Sequence, residues 1–191
     1  KKPFVRYWMH NAFVQLNNEK MSKSLDNFKT IKDLLQKYDT EVLRFLILST
    51  HYRNPINFTE ELLENAKKSL ERLQETINKL LTYQPKSKDN KKVDQLIKKT
   101  QKEFTNAMDD DINTSLAITS LFELVKEINI LIEQEEISNK DSKKVLDLFK
   151  ELDSILGILK FSKEKIPKNV LDLVTKREEV RKKRDFKTSD I

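Results

Sequence analysis

Apolar side chains recur three and four positions apart along most of this chain, a spacing that lines them up on one face of a helix. The clearest run is Leu62, Leu63, Ala66, Leu70, Leu73, Ile77, Leu80 and Leu81, which follows Pro55 and a Thr59 placed to cap a helix start. It predicts one long amphipathic helix. Similar runs over 93–108, 115–132 and 142–160 predict three more, and 169–184, after Pro167, a last one. Residues 84–92 carry no apolar side chain and read as a solvated, basic linker.

Nearer the start the helical period is lost. Phe4-Val5, Tyr7-Trp8-Met9 and Phe13-Val14 are short aromatic and β-branched runs, which suit two short strands with Tyr7, Trp8 and Phe13 packed in a core rather than stacked on a base. Asn17-Asn18 suits a turn, and residues 19–27, polar and without helical period, suit an exposed loop. Thr30-Ile31-Lys32-Asp33 has the form of a capping box and predicts a short helix to about Tyr38. Asp39 or Thr40 then starts a second one bearing Val42, Leu43, Phe45, Leu46, Ile47 and Leu48; apolar on nearly all sides, it is expected to be buried. The architecture is mainly α, a helical bundle appended to a small β/loop remnant.

Composition narrows the chemistry. Of 191 residues, 36% are charged and one is glycine, which leaves no glycine-rich phosphate cradle and little material for the turns of a large β-fold. There is no cysteine, so this segment holds no disulfide, thiolate zinc site or cysteine nucleophile. No apolar stretch approaches the roughly 18 residues of a membrane span and no signal-peptide pattern opens the chain, so a soluble cytoplasmic protein without a membrane partner is expected. The start, Lys1-Lys2-Pro3, suggests a piece of something longer. The net charge of +6 favours a polyanionic partner only weakly, but over 176–187 seven cations stand against three anions and form a local cationic site.

The most specific feature is Lys20-Met21-Ser22-Lys23-Ser24. Two lysines three apart, interleaved with two hydroxyls, can surround a triphosphate. When a carboxylate attacks the α-phosphorus, negative charge gathers on the departing pyrophosphate, and preorganised ammonium and hydroxyl donors stabilise it without any protein nucleophile. An arbitrary lysine pair is usually only a solvated loop. This one follows a strand-and-turn pattern and precedes a capped helix.

The pentapeptide resembles the KMSKS signature of class I aminoacyl-tRNA synthetases, and its flanks are similar to the cysteinyl-tRNA synthetase family. The similar blocks are Tyr7-Trp8-Met9-His10-Asn11, Tyr38-Asp39, Glu41-Val42-Leu43-Arg44, His51-Tyr52-Arg53, Met108-Asp109-Asp110-Asp111 with Asn113-Thr114, and the stretch from Arg177 to Asp185. They run in family order over nearly the whole chain. The family commonly has glycine in place of Ala12 and of Asp26.

The resemblance implies that residues 1–50 are the end of a Rossmann-type catalytic domain, with the lysine loop and a segment meeting the tRNA stem. It implies that 51–191 form a helical bundle on the anticodon side, ending before the family's small terminal part. Lys23 is then the direct ATP ligand, and Lys20, Met21, Ser22 and Ser24 complete a mobile loop. Arg177, Arg181, Lys182, Lys183 and Arg184 either follow tRNA phosphates or form a solvated face. The implied whole enzyme is a monomeric cysteine–tRNA ligase using ATP with Mg2+, L-cysteine and its cognate tRNA(Cys). Its His-Ile-Gly-His motif, cysteine pocket and Zn2+ ligands would lie upstream, so the segment alone is expected to be inactive and to hold no metal.

Two other classes fit parts of the pattern: the cysteine ligase of mycothiol synthesis, against which the long basic helical tail argues, and a non-catalytic helical binding module. His10 and His51, the only histidines, read as structural, and Asp109-Asp110-Asp111 as a turn feeding the cap of the next helix.

Overall fold

In the computed structural model, residues 3–16, 19–22, 30–83, 87–162 and 177 are described. The chain divides into two compact units, 1–161 and 162–191. Of the second unit only Ser162 and an exposed, helical Arg177 belong to the described residues, so apart from Arg177 the expected helix over 169–184 lies outside them.

The first unit opens with an arm without regular structure, 3–13, bent at Phe4 and Arg6 and followed by a three-stranded sheet in the order β2-β1-β3. Strand β1 is Val14–Leu16, β2 is Glu19–Lys20 and β3 is Ile56–Phe58. β1 pairs antiparallel with β2, with Gln15 opposite Lys20 and Leu16 opposite Glu19. On its other edge it pairs parallel with β3, Val14 opposite Ile56 and Leu16 opposite Phe58. Two expectations change here. Of the two strands foreseen from Phe4 to Leu16 only the last part forms, as β1; over 4–13 nothing among the described residues offers a partner ladder, and the Ala12 amide instead donates to the Tyr52 carbonyl at 2.9 Å. Glu19 and Lys20, expected in a loop, are drawn into the sheet by pairing with β1, and the Asn17-Asn18 turn lies outside the described residues.

The helices follow their capping chemistry. Thr30 caps α1, Ile31–Leu34: its hydroxyl accepts the Asp33 amide at 3.1 Å while the Asp33 carboxylate accepts the Thr30 amide at 3.1 Å. This helix is one turn long, shorter than the expected reach to Tyr38. α2 is Thr40–Leu48, with Asp39 at the N-cap position but no side-chain capping bond. It buries Val42, Leu43, Phe45 and Leu46, whereas Ile47 stays about half exposed, so the expectation of all-round burial holds for one face. Thr59 caps α3, Glu60–Thr82, by accepting the Leu62 amide at 3.1 Å. The stripe Leu63, Ala66, Leu70, Leu73, Ile77 and Leu80 is buried, with Leu62 and Leu81 at its margins.

Helices α4 (Lys91–Asp109), α5 (Thr114–Glu133) and α6 (Asn139–Leu156) complete the bundle. α2 through α6 share one core whose most enclosed members include Leu73, Ile77, Leu121, Ile128 and Phe149. Each such side chain contributes roughly 1.5–3 kcal/mol through burial. α6 begins three residues earlier than its apolar run, because Ser138 and Asp141 form a second capping box. The supposed linker is not merely solvated: the buried Asp141 carboxylate also accepts the Asn90 amide at 2.8 Å, and the Ser87 hydroxyl donates to the Ile137 carbonyl at 2.6 Å. Among the described residues, no helix is long and apolar enough to cross a membrane.

α6 ends early, at Gly157, whose φ of 62° is left-handed. The Arg44 side chain from α2 reaches this exit and donates through Nε to the Leu156 carbonyl, capping the helix in trans. A Cβ at Gly157 would sit 3.2 Å from that Nε. Gly157→Ala is therefore expected to lower stability by ~1–2 kcal/mol from backbone strain alone, seen as a lower urea midpoint at unchanged slope. Lys150→Ala, on an exposed face of the same helix, should move the midpoint by no more than about 0.5 kcal/mol equivalent.

Candidate active site

The lysine segment starts from the thin sheet. Lys20 is the last residue of β2, exposed, with its ammonium 4.3 Å from the centre of the Phe13 ring, a cation–π arrangement. The next residue, Met21, donates its amide to the Val14 carbonyl at 3.3 Å, and Met21 and Ser22 are half-buried. The structure thus brings Lys20, Met21 and Ser22 to one edge of the sheet. Lys23 and Ser24 lie outside the described residues, as do Arg181, Lys182, Lys183 and Arg184.

Met21 also lines an open cavity of about 1150 Å³ between the sheet, α1 and α2. Leu16, Leu34, Leu48, Phe58 and Leu63 give it an apolar wall, and Thr30 and Asn54 contribute polar groups. The arm beside it is equally apolar and open: Phe4 is 96% exposed, Tyr7 89%, Trp8 71% and Phe13 66%. Core packing, the expectation for Tyr7, Trp8 and Phe13, is therefore not what the structure has. Trp8 is instead stacked with His10, ring centres 6.2 Å apart, and Phe13 lies under Lys20.

Across the cavity stands a polar cluster that sequence reasoning missed. The turn between α4 and α5 puts Asp111 and Ile112 at φ of 56° and 55°, so that Asn113 can cap α5 by accepting the Leu116 amide at 3.1 Å. Asp110 occupies the C-cap of α4 and Asp111 follows it in the expected turn feeding a cap, whereas Asp109 is still the last residue of the helix. Asp111 has further partners. Its carboxylate accepts the Tyr52 hydroxyl at 2.6 Å and the Arg53 guanidinium through both Nε and Nη2, the latter at 3.1 Å, with His51 Nε2 at 3.8 Å. His51 stacks on Tyr52 at 4.9 Å between ring centres, and the Arg53 guanidinium lies over the same Tyr52 ring at 5.1 Å. Nothing in the sequence pairs positions nearly sixty apart; the only signal was that both blocks carry the family resemblance.

The bond from Arg53, then that from Tyr52, pulls the Asp111 carboxyl down to about 2. The same bond pushes the Tyr52 phenol up, and the carboxylate raises the Arg53 guanidinium. No three His, Asp or Glu side chains among the described residues are grouped to hold a metal ion.

Comparison with known proteins bears on this geometry. A family model described as "tRNA synthetases class I (C) catalytic domain" matches residues 1–68, and one described as "DALR domain" matches 103–160. The protein named cysteine–tRNA ligase from Bacillus licheniformis is 40% identical over 193 residues, 99% of this chain and 41% of that protein. Its namesake from Clostridioides difficile is 42% identical over 196 residues, again 99% of this chain and 42% of the relative. The one from Oenococcus oeni is 41% identical, with 99% and 41% covered. The chain spans about two fifths of the length of these curated relatives.

The Asp111 cluster has a pH signature. A carboxyl held at about 2 when folded, against roughly 3.9 when unfolded, stabilises the fold fully above the unfolded value and loses that contribution as pH falls through the folded one. Partial exposure keeps it small. The gap in thermal midpoint between the wild type and Asp111→Asn should be constant near neutrality and shrink between about pH 4 and about pH 2. A gap unchanged across that window would mean the carboxylate has no such partners in solution.

Proposed function

The chain belongs to the cysteine–tRNA ligase family of class I tRNA synthetases, and on that premise we propose that it supplies the phosphate-clamping loop and the tRNA-facing helices of an enzyme that charges tRNA with cysteine. In the proposed reaction the L-cysteine carboxylate attacks the α-phosphorus of ATP, pyrophosphate leaves, and the cysteinyl group of the adenylate passes to the 3′-terminal ribose of tRNA(Cys). The observation that carries this reading is the pentapeptide Lys20–Ser24 in the sequence, whose Lys20 ends β2 and whose Met21 lines the open cavity, in a chain alike over nearly all its length to proteins of that name.

On this reading Lys23 holds the ATP phosphates, with Lys20, Met21, Ser22 and Ser24 shaping the loop around it. Its ammonium acts most strongly as charge develops on the leaving pyrophosphate. Residues 1–50 are the end of the catalytic domain and 51–191 the tRNA-side bundle, with the enzyme a cytoplasmic monomer. The exposed arm and apolar cavity fit this division, since a sheet with parallel pairing is ordinarily covered on both faces. Mg2+ accompanies ATP. For resident Zn2+, the residues do not fit: the chain has no cysteine and the described residues hold no ligand cluster, so no step is assigned to it here.

In the intact ligase, Lys23→Ala should slow adenylate formation by the equivalent of about 2.7–4 kcal/mol, with much less change in ATP affinity. Pre-steady-state quenching of cysteine activation measures this; an unchanged rate would remove the lysine loop from the phosphate site. The 191-residue chain alone should give no cysteine-dependent ATP–pyrophosphate exchange.

The basic tail is tested separately. If Arg177, Arg181, Lys182, Lys183 and Arg184 follow tRNA phosphates, the log–log slope of affinity against salt should flatten by roughly 0.7–0.9 for each contact removed. Binding isotherms of a glutamine variant at the last four positions should weaken for cognate and non-cognate tRNA alike, because phosphates carry no sequence. Superimposable slopes would return this stretch to a solvated face.

A further inference from the structure

The ring of polar contacts at Asp111 lies outside the lysine loop and is not required by the fold of either flanking helix. Asn113, not Asp111, caps α5, and the amides of Ile112 and Asn113 already donate to the Met108 and Ala107 carbonyls at 3.1 and 3.0 Å. The turn nevertheless holds two consecutive non-glycine residues in the left-handed region, an arrangement that costs energy and aims the Asp111 carboxylate at 51–53. The cluster is partly exposed, with the Asp111 side chain 43% and Arg53 64% accessible, so as an ion pair it contributes little to global stability. Four elements of specificity converge all the same: a guanidinium fork, a short phenol bond, a nearby imidazole and stacked rings.

The 51–54 segment is where the sheet is tethered. The Tyr52 carbonyl accepts the Ala12 amide, and two residues after Asn54 the chain enters β3, which pairs with β1, which pairs with the β2 that ends in Lys20. On the other side, α4 and α5 are fixed by the bundle core. Asp111 thus bridges a segment within the catalytic-domain match, 1–68, which runs past the boundary at 50 proposed above and takes in 51–53 and β3, and one within the DALR match, 103–160.

We propose that Asp111 is a positioning residue that sets the tRNA-side helices against the sheet carrying the lysine loop, through Tyr52, Arg53 and His51. The proposal rests on the reading above that one side clamps ATP and the other faces tRNA. Activation of cysteine needs only the sheet side, whose strand pairings do not involve Asp111. Transfer needs the tRNA end delivered to the adenylate, which depends on the angle between the two sides; a misplacement of about 1 Å in such a step costs up to about a hundredfold.

The test uses Asp111→Asn and Asp111→Ala in the intact ligase, with Arg53→Lys as the conservative variant that keeps the charge and loses the fork. Aminoacylation kcat/KM for tRNA should fall by about tenfold or more, while cysteine-dependent ATP–pyrophosphate exchange stays within about twofold. Arg53→Lys by itself should show a smaller fall than either Asp111 variant. A parallel fall in both activities, or no fall in either, overturns the proposal.

Hydrogen exchange on this chain gives a second readout. In Asp111→Ala the amides of Asn54 and Ile112 should exchange faster, while those of Met21, Leu124 and Ile128 hold. Faster exchange throughout α5 would mean a merely structural role, and unchanged exchange at Asn54 would mean no tie at all; either overturns the proposal. If the wild-type ligase shows no cysteine-dependent exchange of pyrophosphate, the proposed reaction fails instead, and the amide pattern still decides the tie.

Discussion

Everything in the first unit hangs on the apolar seam where α3, α4, α5 and α6 exclude water. Leu73 and Ile77 from α3, Leu121 and Ile128 from α5 and Phe149 from α6 are fully enclosed, and α2 joins the same core with Val42, Leu43, Phe45 and Leu46. With a net burial gain of roughly 1.5–3 kcal/mol per large side chain, this seam outweighs any surface ion pair, each worth at most about 1 kcal/mol. The many lysine–carboxylate pairs along the bundle, such as Lys99 with Glu123 at 3.0 Å, therefore decorate a fold that the seam has already decided.

Polar contacts matter where the seam ends. Arg44 closes the exit of α6, Asp141 holds both its own helix start and the Asn90 amide, and the Thr114 hydroxyl donates to the Leu48 carbonyl at 2.7 Å. Each satisfies a backbone group that the end of a helix would otherwise leave open. Together they bring α2, which lies within the catalytic-domain match, into a bundle most of which lies outside it. Lys20, the first residue of the lysine segment, then ends a short strand outside that core.

How much of this was legible in the sequence follows from the range of each interaction. Helical periodicity and capping act within four residues, so the long stripe of α3, the Thr59 cap and the Thr30–Asp33 box could be read directly. The pattern Lys20–Ser24 is equally local, an order of five side chains, and the phosphate role proposed for it rests on that order. The two ends of α6 were misread for different reasons: at Gly157 the exit is closed by Arg44, more than a hundred positions away, whereas the Ser138–Asp141 box at its start is local and was passed over in favour of the apolar run.

The tertiary structure alone decided three matters. It paired Ile56–Phe58 with β1, a parallel contact that no hairpin signal could announce because its partners are some forty residues apart. It left the aromatic arm uncovered, since burial depends on what else is present and not on the hydrophobicity of the arm itself. And it turned Asp111 from one of three acidic turn residues into the acceptor for Tyr52 and Arg53, because backbone φ at that position, fixed by the helices on either side, aims the carboxylate across the junction. The sequence by itself determined the helices and the order of side chains in Lys20–Ser24, whose causes are local; the junction at Asp111 is a matter of direction in space, which only the packed core supplies.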